Sequence, residues 1–85
     1  MTTKGKLTKS QIFEFLEDHF GLGKNSILES SRLEEGLGLD SLDKIELLME
    51  LEDKTGYEVP DKEAVGLKTV GDVLSYLKSK GFLEP

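Results

Sequence analysis

The chain has 85 residues, a net charge of −6, no cysteine and one histidine. This length predicts one small domain, residues 1–85. The absence of cysteine excludes disulfides and thiolate chemistry, and the negative charge disfavours nucleic acid as a partner. No segment has signal-peptide character or transmembrane length, so we expect a cytoplasmic protein without membrane insertion. No spacing of acid, base, nucleophile or metal-ligand residues indicates an enzyme or a metal site.

The first predicted helix begins after Thr8, which forms a capping-box sequence with Gln11. Gly21 and Gly23 are expected to end it. His19 lies in its last turn, where we expect it to interact with the free carbonyl groups of the helix end. Residues at helical spacing on one face are expected to enter the core: Ile12, Phe15, Leu16 and Phe20.

Residues 22–39 are predicted to form a long first loop. A structureless loop of this length is uncommon in so small a domain. Ile27, Leu33 and Leu37 are therefore expected to attach the loop to the core, with a short turn of helix.

A second helix is predicted to begin at Ser41, with Asp40 as the N-cap. The residues from Leu42 to Leu51 have helical spacing and include no helix breaker. A group esterified to the Ser41 oxygen would lie at the positive end of the helix dipole, where free N–H groups favour an anion. The sequence therefore suits Ser41 to carry a phosphate-linked group.

Residues 40–60 carry seven acids and two lysines, a charge of −5 out of the total of −6. At about 100° per residue, the apolar side chains of this helix form two stripes. Leu47, Leu48 and Leu51 form the stripe expected in the core. Leu42, Ile45 and Met49 form a second stripe, nearly opposite Leu47 and surrounded by acids. We interpret it as an exposed docking surface for basic partners; the alternative is a helix buried on both sides. Its members are Leu42, Asp43, Ile45, Glu46, Met49, Glu50 and Asp53, with Glu52 beside them.

The rest of the chain predicts two more helices. Gly56 ends the acidic helix, and residues 57–60 are expected to be extended before Pro60. Asp61 is expected to cap a short helix over 61–66. Thr69 and Asp72 form another capping box, which begins a final helix that ends at Gly81 and buries Val70, Val73, Leu74 and Leu77. The prediction is an all-α fold, a small four-helix bundle of three longer helices and one short helix, with a core over 7–80 and tails at 1–6 and 82–85.

Four segments together resemble the acyl carrier proteins: Gly38-Leu39-Asp40-Ser41-Leu42-Asp43, Ile45-Glu46-Leu47-Leu48-Met49, Glu58-Val59-Pro60-Asp61 and Thr69-Val70-Gly71-Asp72-Val73. The pattern runs in register from Leu7 to Lys80. In that family the motif serine carries a 4′-phosphopantetheine arm from coenzyme A, whose thiol holds acyl groups as thioesters. The resemblance implies that Ser41 is the attachment residue, flanked by Asp40 and Leu42. It also implies an acyl pocket lined by Leu33, Leu51, Leu67, Val73 and Tyr76.

By the same resemblance we expect a monomeric, non-catalytic carrier. Its partners would be a phosphopantetheinyl transferase and synthases or acyltransferases of fatty-acid or related lipid biosynthesis, with basic docking patches. Leu39, Lys44 and Val65 depart from the family pattern. Lys44 lies on the core side of its helix, so its ammonium must reach outward. These departures leave a specialised lipid or polyketide pathway open, and peptidyl or alanyl carriers share the fold and the serine. An acidic helical adaptor without a prosthetic group is the alternative of another class.

Overall fold

The computed structural model describes residues 5–23 and 25–84, which form four helices: α1 (Lys9–Phe20), α2 (Ser41–Thr55), α3 (Asp61–Ala64) and α4 (Val70–Ser79). This part of the chain contains no strand, only isolated bridges between Leu7 and Leu83 and between Arg32 and Thr69. The predicted all-α fold, with three longer helices and one short helix, is confirmed.

The three longer helices begin with complete capping boxes. In each box the N-cap side chain accepts the N–H of the third helical residue, whose own side chain accepts the N–H of the N-cap residue. The pairs are Thr8 with Gln11, Asp40 with Asp43, and Thr69 with Asp72. Gly21 and Gly56 follow α1 and α2 in the left-handed conformation, with φ of 66° and 77°. These ends agree with the predictions.

The third helix is shorter than predicted, and Asp61 is not its cap. α3 spans one turn, Pro60 is the N-cap residue, and no side chain caps the helix. The N–H groups of Gly66 and Leu67 bond to carbonyls three residues back, at 3.1 and 3.0 Å. These tighter turns end the α-helix at Ala64, which is why the predicted range of 61–66 is wrong.

The core is formed by one cluster of buried side chains from all three longer helices and from the connections. The cluster comprises Leu7, Ile12, Leu16, Ile27, Leu33, Leu39, Leu47, Leu51, Val59, Leu67, Val70, Val73, Leu74 and Leu77. Phe15, Phe20, Leu37 and Leu48 were expected in the core but are only partly buried at its edge. The two phenylalanine rings lie at the edge because they pack against His19.

The connection between α1 and α2 contains no helix over residues 21–23 and 25–40. Backbone N–H groups of residues 36–38 bond to carbonyls of Arg32 and Glu34 and form turns instead. The loop is attached to the start of α4, where Leu33 donates to the Lys68 carbonyl at 2.9 Å and Val70 donates to the Ser31 carbonyl at 3.0 Å. The loop is therefore a fixed wall beside the segment that joins α3 to α4.

The C-terminal residues 82–84 are not a free tail, contrary to the expectation for 82–85. The Leu7 N–H donates to the Phe82 carbonyl, and the Glu84 N–H donates to the Leu7 carbonyl, both at 2.8 Å. Gly5 also donates to the Lys54 carbonyl at 3.1 Å. The rest of the two predicted tails, residues 1–4 and 85, lies outside the described residues.

Candidate functional site

Ser41 is an exposed residue at the first position of α2. The Asp40 carboxylate accepts the Asp43 N–H at 2.8 Å, and the Asp43 carboxylate accepts the Asp40 N–H at 3.2 Å. These reciprocal bonds fix the turn that leads into the helix. They place the serine hydroxyl at the end of α2 where the helix dipole is positive.

The turn before Ser41 is anchored by Leu39, which is buried. Its N–H bonds to the Leu33 carbonyl at 2.9 Å, and Gly38 before it has φ of 76°, a conformation that suits glycine. The sequence marked Leu39 as a departure from the family pattern without assigning it to the core. In the sequence, an apolar residue between Gly38 and the N-cap residue Asp40 is the signal that could have indicated an anchor for this turn.

A cavity of about 270 Å³ opens beside Ser41, between the long loop, α2, α3 and α4. Three of the residues expected in an acyl pocket line this cavity: Leu33, Leu67 and Val73. Leu51 and Tyr76, the other two residues expected in an acyl pocket, do not line this cavity. Leu51 lines a groove between α1 and α2 instead, because it is ten residues beyond Ser41, roughly 15 Å along the helix.

Tyr76 instead links α4 to α3. Its hydroxyl donates to the Glu63 carboxylate, and the Tyr57 hydroxyl lies 3.5 Å away. Burial raises the pKa of Tyr76 above its ordinary value, and the bond to Glu63 raises it further. The Lys80 ammonium lies 5.5 Å from the centre of the Tyr76 ring. A neutral Tyr76 therefore holds α3, which forms one wall of the cavity.

The two stripes of α2 are arranged as predicted. Leu42, Ile45 and Met49 are 62%, 52% and 61% exposed, whereas Leu47 is 2% exposed. The alternative of a helix buried on both sides is therefore wrong. Of the surrounding acids, Asp43 is engaged in the capping box and Glu50 lies 3.7 Å from the Lys54 ammonium.

The sequence suggested that His19 interacts with carbonyl groups at the end of α1, but its contacts are with side chains instead. Its ring stacks on Phe15 with centroids 4.8 Å apart, and its Nε2 lies 2.9 Å from Oε1 of Glu46 on α2. Both side chains are more than 40% exposed, so an ion pair here contributes little to stability. The contact nevertheless holds one acid of the exposed face in a fixed position.

Lys44 and Val65 lie at the rim of the cavity. The Lys44 side chain is 23% exposed, and its ammonium reaches outward to within 3.2 Å of the Glu34 carboxylate, as predicted. Val65 is 68% exposed and lines the cavity from α3's end. The cavity therefore has a mainly apolar lining, and its polar residues are Ser41, Asp61 and the pair formed by Lys44 and Glu34.

Over residues 5–23 and 25–84, no group of three or more histidine, aspartate or glutamate side chains is arranged to hold a metal ion. Within the same residues, no helix is both long and apolar enough to cross a membrane.

Comparison with known proteins agrees with this site. The family model for the phosphopantetheine attachment site matches residues 10–77. The chain is similar to an acyl carrier protein of Lactobacillus acidophilus, with 43% identity over 70 residues that cover 82% of this chain and 88% of the relative. It is also similar to an acyl carrier protein of Chloroherpeton thalassium, with 38% identity over 72 residues, 85% of this chain and 90% of the relative. The chain belongs to the acyl carrier proteins of the phosphopantetheine-attachment family, and is therefore a carrier with 4′-phosphopantetheine as its prosthetic group rather than an enzyme.

Proposed function

We propose that Ser41 is the residue to which 4′-phosphopantetheine is attached. The observation that carries this proposal is the exposed Ser41 hydroxyl at the first position of α2, beside an apolar cavity. The bound group supplies a flexible arm whose terminal thiol holds an acyl chain as a thioester. The residues present fit such a group, because a helix start favours a phosphate ester and the adjacent cavity can receive an apolar chain.

The start of α2 has a defined role toward the phosphate. The first N–H groups of a helix have no carbonyl partner within the helix. Asp40 takes the N–H of Asp43, whereas those of Ser41 and Leu42 precede that bond and remain for an anion on the Ser41 oxygen. We therefore assign Asp40 and Leu42 to the attachment site, Asp40 for the turn geometry and Leu42 for its backbone N–H.

The cavity suits apolar cargo. Each methylene that leaves water for an apolar surface contributes about 0.8 kcal/mol, so an aliphatic chain gains free energy by entering. Leu33, Leu67 and Val73 supply that surface. On this ground we place the carrier in fatty-acid or related lipid biosynthesis, because polar aminoacyl cargo would gain nothing from such a lining.

The exposed stripe of α2 is proposed as the docking surface. Met49 is eight residues beyond Ser41, roughly 12 Å along the helix, so an enzyme that reaches for the arm meets Leu42, Ile45 and Met49 beside it. The charge of −5 on residues 40–60 attracts enzymes with basic patches. We propose a phosphopantetheinyl transferase and acyl-processing synthases and acyltransferases as these partners, in the cytoplasm.

The attachment is tested by incubating the protein with coenzyme A, Mg²⁺ and a phosphopantetheinyl transferase. The wild type is expected to gain the mass of one phosphopantetheine, as Ser41 Oγ bonds to phosphorus and adenosine 3′,5′-bisphosphate leaves. Ser41→Ala should gain none. The matched control is Ser10→Ala, since Ser10 is an exposed serine in the first turn of α1. A full mass gain in Ser41→Ala would place the arm elsewhere.

A further inference from the structure

A second pocket, polar rather than apolar, shares part of its wall with the cavity beside Ser41. Its volume is about 400 Å³, and it is lined by Arg32, Lys44 and Lys68 with Glu34 and Glu35. Lys44 and Glu34 line both pockets. An acyl chain that follows the apolar lining therefore reaches a region where three cations converge.

The three cations come from separate parts of the chain, and backbone bonds join the segments of two of them, Arg32 and Lys68. Arg32 belongs to the long loop and forms an isolated antiparallel bridge with Thr69. The Leu33 N–H donates to the Lys68 carbonyl at 2.9 Å, and Lys44 extends from α2. The backbone therefore fixes the positions from which the Arg32 and Lys68 side chains extend, next to Lys44 on α2.

The charge of the pocket contrasts with that of the molecule. Arg32 pairs with Glu35, and Lys44 pairs with Glu34 at 3.2 Å. Over residues 5–23 and 25–84, Lys68 has no carboxylate within ion-pair distance, so the pocket keeps one uncompensated positive charge in a chain of net charge −6. An anion would complete this arrangement through charge-assisted hydrogen bonds.

We propose that this pocket binds the terminal carboxylate of an ω-carboxyacyl cargo, with Lys68 and Lys44 as the residues that recognise it. This inference rests on the proposed attachment at Ser41. The methylenes of such a cargo lie in the apolar cavity, and its carboxylate meets a cation where it would otherwise lose hydration without compensation. The phosphate of the arm is a second anion, but the N-terminus of α2 already accommodates it.

The test compares two cargoes of equal carbon number, one ending in a methyl group and one in a carboxylate. Each is loaded from its coenzyme A thioester by a phosphopantetheinyl transferase, and complete loading is verified by intact mass. Thermal melting at low ionic strength then gives the difference in Tm between the two loaded forms. We expect Lys68→Met and Lys44→Met each to lower the Tm of the carboxylate-loaded form by about 4 °C relative to the methyl-loaded form. High salt should produce the same loss in the wild type.

Lys54→Met is the matched control. Like Lys44, Lys54 is a lysine of α2 that pairs with a glutamate, but it lines neither of these two pockets. It should leave the difference between the cargoes unchanged, and Lys68→Arg should preserve it. Equal differences in the wild type, Lys68→Met and Lys44→Met would overturn the inference. So would a loss of stability in these variants on attachment of the arm alone, which would assign the pocket to the phosphate. A protein that gains no mass refutes the attachment at Ser41 instead, so the two failures are distinguishable.

Discussion

Replacement of Leu47 by alanine tests the assignment of the two faces of α2. Leu47 is 2% exposed and lies between the cavity beside Ser41 and the groove facing α1. Buried leucine-to-alanine changes cost about 2–5 kcal/mol, depending on how well the site can collapse. Open space already borders Leu47 on two sides, so side chains can relax into the new void. We therefore expect the lower part of that range, about 3 kcal/mol.

This loss is large for so small a domain. At about 0.05–0.15 kcal/mol per residue, the whole chain has a free energy of unfolding of about 4–13 kcal/mol. A loss of about 3 kcal/mol should lower Tm by about 12 °C or more. Met49→Ala, on the exposed stripe, should change the free energy of unfolding by less than about 0.5 kcal/mol. The same variant should lower kcat/KM for the transferase about fivefold, the effect of losing about 1 kcal/mol of docking contact.

Circular dichroism during thermal melting and urea unfolding measure the stability of both variants, and single-turnover mass analysis measures transfer. Leu28→Ala is the matched control, because Leu28 is an apolar residue of the long loop that is 62% exposed and lies outside α2. If Met49→Ala melts at a lower temperature than Leu47→Ala, the two faces have been assigned the wrong way round. If Met49→Ala melts normally and transfers at the wild-type rate, the stripe is exposed but does not serve the transferase.

Two further predictions concern charge. The N–H groups of Lys68 and Thr69 bond to the Asp72 carboxylate and lower its pKa below 3.8. Because the pKa is lowered on folding, the ionised Asp72 carboxylate stabilises the fold, and Asp72→Asn should lower the free energy of unfolding at neutral pH. The difference in free energy between the variant and the wild type should disappear as pH falls below about 3.8. Urea unfolding across pH measures it. Glu50→Lys should cost only about 0.3–1 kcal/mol, because it replaces an exposed pair with Lys54 by two like charges. It should slow transfer far more at low salt than at high salt, and an equal effect at both would argue against charge-driven association.

The features that the sequence predicts well depend on residues close together in the chain. A capping box needs only positions i and i+3, so Thr8 and Thr69 mark the starts of α1 and α4 without any tertiary information. The stripes of α2 follow from helical periodicity in the same way, and Ser41 falls at the helix start because Asp40 precedes it. The position of the candidate attachment residue is therefore a local property.

The features that the sequence missed join residues far apart. Glu46 is 27 positions from His19, and no local pattern indicates that the two side chains meet. The pairing of Leu7 with Leu83 spans nearly the whole described chain. Tyr76 was expected in the cavity, but a hydroxyl needs a hydrogen-bond partner when buried, and Glu63 supplies it on α3. The hydrogen bond of its hydroxyl directs Tyr76 toward α3 rather than into the cavity, and helical periodicity does not distinguish these two directions.

The arrangement of α2 shows how one helix can have three separate roles in a carrier. Its N-terminus presents Ser41, its buried stripe fixes the helix in the core, and its exposed stripe is the proposed docking surface. The positions involved are separate, so we expect a substitution at Met49 to affect only the proposed docking surface, whereas one at Leu47 changes the core and the cavity together. Because Leu47 borders the cavity, binding of the proposed cargo there would be coupled to the stability of the domain. We therefore expect an apolar cargo that fills this cavity to raise Tm more in Leu47→Ala than in the wild type, since it replaces contacts that the variant lacks.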